Sequence, residues 1–179
     1  MRYIAFLRAI NVGGHTVKMD ALRAVFADMG FGEVETFIAS GNVIFTTAHR
    51  DAPALQQRIE DALQRALGYA VTTFLRTDAE VTAVARYTPF PPAVMAAAGA
   101  LNVAFLAEPL APQDEAKVMA LRTAIDDFHV HAREVYWLCQ TKQSESTFSN
   151  VVFERALGRR ATFRGMNTVQ KLAAKYPPV

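Results

Sequence analysis

The run FLRAINVGGHTVKM, residues 6–19, sets two adjacent glycines, a histidine and a lysine between an apolar stretch and the start of a helical pattern. Consecutive glycines can turn several backbone N–H groups toward one point, and a helix N-terminus with nearby Lys or Arg adds favourable potential for an anion. The chemistry this suggests is recognition of a phosphate or carboxylate. GGHTVKM has neither the G-x-x-x-x-G-K-[ST] spacing of a P-loop nor the G-x-G-x-x-G dinucleotide fingerprint, so ordinary ATP or NAD binding is not expected and no cofactor is assigned. The competing account is a tight strand-to-helix turn, with Asn11 and Asn42 hydrogen-bonding loop backbone.

Other residues are weaker candidates. Ser40 as a nucleophile would need His15 as base and Glu33 or Glu35 as orienter, but no G-x-S-x-G elbow surrounds it, and Glu33 and Glu35 alternate with Val34 as a solvated strand face would. Whether the chain is an enzyme stays open, because no base is identified. His129 and His131, two apart on a strand, point to one face and could meet a metal with Asp127 or Glu134. HxH alone assigns no metal, since no second cluster has ligand spacing. His49 is expected exposed and without a partner. Cys139, the only cysteine, sits in the apolar run VYWLC and reads as a small buried hydrophobe.

A formal charge of +2, from 19 basic and 17 acidic residues, is far from the balance of a general nucleic-acid binder. Local clustering leaves a weak nucleic-acid site at Arg159, Arg160, Arg164 and Lys171 as one alternative. The RNP1 pattern is absent, and adjacent Tyr136 and Trp137 face opposite sides of a strand that is expected to be covered. A structural or protein-interaction role without ligand is the other alternative. No apolar run is long enough to span a bilayer or to act as a secretory leader, so a cytoplasmic location is expected.

The elements that must position these residues follow from periodicity. Residues 2–8 are apolar on both strand faces, and Met19, Leu22, Val25, Phe26 and Met29 recur at helical spacing before Gly30. EVETFI and NVIFTT, joined by ASGN, form a hairpin; Leu55 to Leu67 mark a helix stopped by Gly68; VTTFLR is a fourth strand. Residues 78–99 read as a connector, a short helix followed by a Pro/Ala-rich linker. The order then returns from LNVAFLAE: a helix over 112–125, strands FHVHA and VYWLC, a helix around Phe148, Val151, Val152 and Ala156, strand ATFR, and a last helix marked by Val169, Leu172, Ala173 and Tyr176. RALG ends the corresponding helix in each half, at 65–68 and 155–158.

The expected fold is therefore α+β, a duplicated ferredoxin-like arrangement of two βαββαβ repeats with antiparallel sheets and helices packed on them. The expected organisation is a first repeat over 1–77, a connector over 78–99, and a second repeat with a C-terminal helix over 100–179, in one compact unit. In such a repeat the loop leaving the first strand emerges beside the hairpin joining the second and third. Arg8, Asn11, Gly13, Gly14, His15, Lys18, Ser40, Gly41 and Asn42 should then share one corner able to hold a small anionic or nucleotide-like ligand.

The motifs YIAFLRAINVGGH, VKMDALRAVFADMGF, TFIASGNVIF and TFRGMNTVQKL resemble a conserved bacterial family, domain-of-unknown-function family 1697, over essentially the whole chain. The resemblance implies a duplicated, ferredoxin-like α+β protein and carries no established activity. Within that pattern Ala9 stands where glycine is common, and Gly165 and Met166 where asparagine and tryptophan are common.

Overall fold

The computed structural model describes residues 1–11, 13–38 and 41–179. Its order is β1 (Arg2–Leu7), α1 (Met19–Asp28), β2 (Gly32–Thr36), β3 (Asn42–Thr46), α2 (Ala52–Leu67), β4 (Thr73–Thr77) and α3 (Asp78–Arg86). It continues with α4 (Pro92–Ala97), β5 (Ala100–Phe105), α5 (Pro112–Met119), β6 (Asp126–His131), β7 (Glu134–Cys139), a single 3-10 turn (Gln143–Glu145), α6 (Asn150–Leu157), β8 (Thr162–Gly165) and α7 (Met166–Lys175). Two compact units result, Met1–Thr82 with Leu172–Val179, and Ala83–Lys171.

Each unit holds one four-stranded antiparallel sheet, ordered β2-β3-β1-β4 in the first and β6-β7-β5-β8 in the second. In the first, Tyr3, Ala5 and Leu7 of β1 join Leu22 and Phe26 of α1 and Leu55, Ile59 and Leu63 of α2 in one buried cluster. Phe45 anchors it, with ring centroids 4.5 Å from Phe31, 5.4 Å from Phe26 and 5.8 Å from Tyr3. The alternate β1 residues Ile4 and Phe6 are buried too, as the doubly apolar pattern predicts. In the second unit Phe148 packs against Phe128, Trp137, Phe153 and Phe163.

Equivalent parts recur in the two units. Asp51 and Ser149 cap α2 and α6 by accepting from Ala54 and Val152 N–H, and Gly68 and Gly158 end them at φ +83° and +65°. A helical glutamate then holds the next strand: Glu60 accepts the Thr73 N–H at 2.8 Å, and Glu154 the Ala161 N–H at 2.8 Å.

Several expected boundaries move for local reasons. The helix expected over 112–125 stops at Met119, because the Thr123 hydroxyl accepts from Ile125 and Asp126 N–H and the Ile125 carbonyl pairs with Gln140 N–H. β6 ends at His131 rather than residue 132, since Ala132 turns to φ +52°. The linker holds the short helix α4, begun by Pro92 at a position where its missing N–H is harmless. In β2 a register shift falls between Gly32 and Glu35, where Glu33 takes φ +47°.

Asp126 ties the second unit together. Its buried carboxylate accepts from the Trp137 Nε1–H (2.8 Å), the Thr123 hydroxyl (2.7 Å) and the Ser146 hydroxyl (2.8 Å). Burial opposes its ionisation, but these hydrogen bonds outweigh burial and hold its pKa below the usual aspartate value. A lowered folded-state pKa stabilises the fold above the unfolded value and loses that contribution as pH falls through the folded one. Asp126→Asn should cost about 1–3 kcal/mol at neutral pH. In denaturant titrations, the gap from wild type should close as pH drops below about 4.

Candidate functional site

β1 pairs with β3 so that Phe6 faces Asn42, and the Leu7 N–H then donates to the Gly41 carbonyl at 2.8 Å. The loop leaving β1 therefore lies against the hairpin, as expected. Gly41 is at φ +81°, and a Cβ there would stand 2.9 Å from Ile10 Cγ2 and 3.1 Å from Leu7 Cβ. Only glycine fits this contact. Ser40 of the expected corner lies outside the described residues.

The loop is braced by its own polar groups. Asn11 Oδ1 accepts the Val17 N–H at 2.8 Å, Asn42 Nδ2 donates to the Phe37 carbonyl at 2.9 Å, and the Tyr69 hydroxyl donates to the Ile10 carbonyl at 3.2 Å. The exposed His15 ring stacks on Tyr69 with centroids 3.9 Å apart. The Arg8 N–H donates to the Thr72 carbonyl at 2.9 Å, and the Arg8 side chain is half-buried. Lys18 is exposed at the start of α1 and makes no side-chain cap.

Gly13 (φ +62°) and Gly14 (φ +83°) have open space where a Cβ would stand. Among the described residues, no hydrogen bond takes up the N–H groups of Gly13, Gly14, Met19, Asp20 or Ala21. Open N–H groups and an exposed ammonium thus occur along one segment, residues 13–21.

The remaining candidates are placed elsewhere. His129 and His131 do share a face, but it is occupied by Tyr87, whose hydroxyl is 2.7 Å from His129 Nε2 and whose ring stacks on His131 at 4.0 Å. Among the described residues no group of three or more His, Cys, Asp or Glu could hold a metal ion. Arg159 pairs with Asp114 at 3.2 Å, Arg160 and Lys171 are exposed, and Arg164 is buried, donating to the Thr162 hydroxyl and the Phe163 carbonyl. Burial lowers the Arg164 pKa to about 10. The four basic residues do not form one exposed patch. Trp137 and Tyr136 are both buried, and burial raises the Tyr136 pKa. Cys139 is buried as well.

Two expectations need correcting. His49 is exposed but has a partner, Arg58 Nη1, 2.9 Å from its Nε2, reached from α2. Glu35 is not simply solvated: it accepts from the Tyr176 hydroxyl and the Lys175 ammonium, which together lower its pKa. Sequence reasoning also missed Tyr69, Tyr87 and the fully buried Arg76, whose Nη1 donates to the Leu75 carbonyl at 2.9 Å. Arg76 and Arg164 are equivalent, opposite Ile4 in β4 and opposite Val103 in β8. The only local signal for either was an arginine inside an apolar strand.

The fold class is thus a duplicated α+β architecture of two antiparallel sheets with helices. A conserved bacterial protein from Streptococcus pneumoniae, SP0830, has a similar solved structure, with TM-score 0.75 and 21% identity, covering 99% of this chain and 98% of that one. Residues 1–136 match the family model described as protein of unknown function, DUF1697, and the chain belongs to that family. No curated protein matches it. Among the described residues no helix is long and apolar enough to cross a membrane.

The corner's backbone strain is open to test. Ala9, exposed at φ +53°, carries a side chain where glycine is preferred, so Ala9→Gly should stabilise by about 0.5–1 kcal/mol in denaturant unfolding. Gly41→Ala should destabilise by about 2 kcal/mol, because strain and the close approach to Leu7 and Ile10 act together.

Proposed function

We propose that the corner between the β1–α1 loop and the β2–β3 hairpin binds a small phosphate- or carboxylate-bearing ligand. The observation that carries this reading is that, among the described residues, nothing takes up the N–H groups of Gly13, Gly14 and the first turn of α1, in the segment that also carries exposed Lys18. Backbone donors and the helix dipole would hold the anion; Lys18 and Arg8 would add charge, and Asn11, His15, Ser40, Gly41 and Asn42 would shape the surround. A nucleotide-like ligand would fit the same chemistry through its phosphate. The strand order β2-β3-β1-β4, repeated as β6-β7-β5-β8, supports describing each unit as ferredoxin-like. A lone buried cysteine suits a reducing cytoplasm.

A second reading has its own support. Asn11, Asn42 and Tyr69 spend hydrogen bonds on the loop's own backbone, as residues of a folding determinant would. The nucleic-acid alternative draws less support, since Arg164 is buried and Arg159 is paired.

Thermal unfolding with inorganic phosphate, pyrophosphate and ribose 5-phosphate separates the two main readings. Binding at a hundredfold excess over the dissociation constant should stabilise by about 2.7 kcal/mol. The shift should shrink in Lys18→Ala and His15→Ala, both of whose side chains are exposed. No shift with any anion, or a shift indifferent to Lys18, would leave the corner as a folding element.

A further inference from the structure

The second unit contains a cavity of about 560 Å³ between α4, the start of β5, the end of β8 and the first turns of α7. Its walls combine Met95, Leu101 and Met166 with three carboxamides, Asn102, Asn167 and Gln170, and among the described residues no charged side chain lines it. The volume is that of small-molecule sites.

Asn102 gives the cavity its chemistry. The residue is 8% exposed, and its Nδ2 donates to Gln143 Oε1 at 3.2 Å, which fixes the orientation of the amide. Oδ1 is thereby turned toward Gly165, where a Cβ would stand 3.8 Å from it, and among the described residues Oδ1 accepts no hydrogen bond. An amide oxygen has room for two donors. Gly165, opposite Asn102 in the β5–β8 pairing, leaves the approach open.

The lining selects a ligand by elimination. A charged molecule would lose hydration and find no counter-charge. A purely apolar one would cover Asn102 Oδ1 without satisfying it. What remains is a neutral molecule that offers an N–H to Oδ1 and further donors and acceptors to Asn167 and Gln170, with flat faces for the Met95 and Met166 thioethers. We infer that this cavity binds a neutral nucleobase-type heterocycle, with Asn102 Oδ1 accepting from a ring or exocyclic N–H. The site is separate from the anion corner and needs none of its residues.

Calorimetric titration of the full chain with uracil, hypoxanthine, uridine and inosine tests this. Saturable binding of at least one probe is expected, and the base and nucleoside arms distinguish a free base from a ribosylated one. Affinity should fall about tenfold in Asn102→Leu, which removes the acceptor. Gly165→Leu, which fills the cavity, should abolish binding, and Gln170→Leu, exposed at the rim, should weaken it without altering the melting temperature. The last two variants keep the test decisive if Asn102→Leu misfolds. Lys18→Ala should bind the probes as wild type does. No saturable binding of any of the four at millimolar concentration overturns the inference, as does binding indifferent to both Gly165→Leu and Gln170→Leu.

Discussion

The hydrogen bond from the Leu7 N–H to the Gly41 carbonyl, 2.8 Å long, is the constraint from which the first unit is built. It closes the end of β1 on the hairpin and holds Phe6 opposite Asn42. Register here is decisive, because a one-residue slip would send Val43 and Phe45 to the face now taken by Ile44. The contact can form only because residue 41 has no side chain, Leu7 Cβ and Ile10 Cγ2 already filling the space. One steric condition thus fixes strand pairing and delivers the β1–α1 loop to the hairpin.

The second unit meets the same condition differently. Leu106 N–H donates to the Arg133 carbonyl at 3.0 Å, the counterpart of the Leu7 contact, and the hairpin turns at Ala132 with φ +52° instead of at a glycine. Around these anchors the paired parts match: the αL glycines after α2 and α6, the glutamates that catch Thr73 and Ala161, and the buried arginines of β4 and β8. The loops do not match. The segment after β5, AEPLA, is stiffened by proline and carries no glycine pair, so it lacks the open glycine N–H groups of the β1–α1 loop. Duplication kept the frame while the connections diverged, as expected where loops carry specificity and strands carry stability.

What was legible in the sequence was whatever short-range physics determines. Apolar periodicity located β1, α1 and α2; the glycine of RALG marked two helix ends; and alternation put His129 and His131 on one face. The antiparallel pairing that follows from that order then brought the loop and hairpin together. Side-chain partners from distant segments were not legible. Tyr87 reaches His129 across 42 residues, and Tyr176 reaches Glu35 across 141. Helix α5 stopped early for a reason no periodicity contains, the competition of Thr123 with the backbone ladder. The linker helix α4 was hidden because proline signals interruption and helix initiation alike, and only the fold decides between them.

Glycines with similar dihedrals serve two different purposes in this corner. Gly41 is required by its neighbours, which leave no room for a methyl group. Gly13 and Gly14 meet nothing within 4 Å, so packing does not demand them. Nor does the left-handed conformation alone, because Ala9, Ile38 and Ala132 adopt φ values of +53°, +59° and +52° while keeping their side chains. What two adjacent glycines add beyond conformational ease is access: without Cβ atoms, the N–H groups of the loop can be approached closely by an outside acceptor. That property matters little to a turn and a great deal to a site that must meet an anion with its backbone.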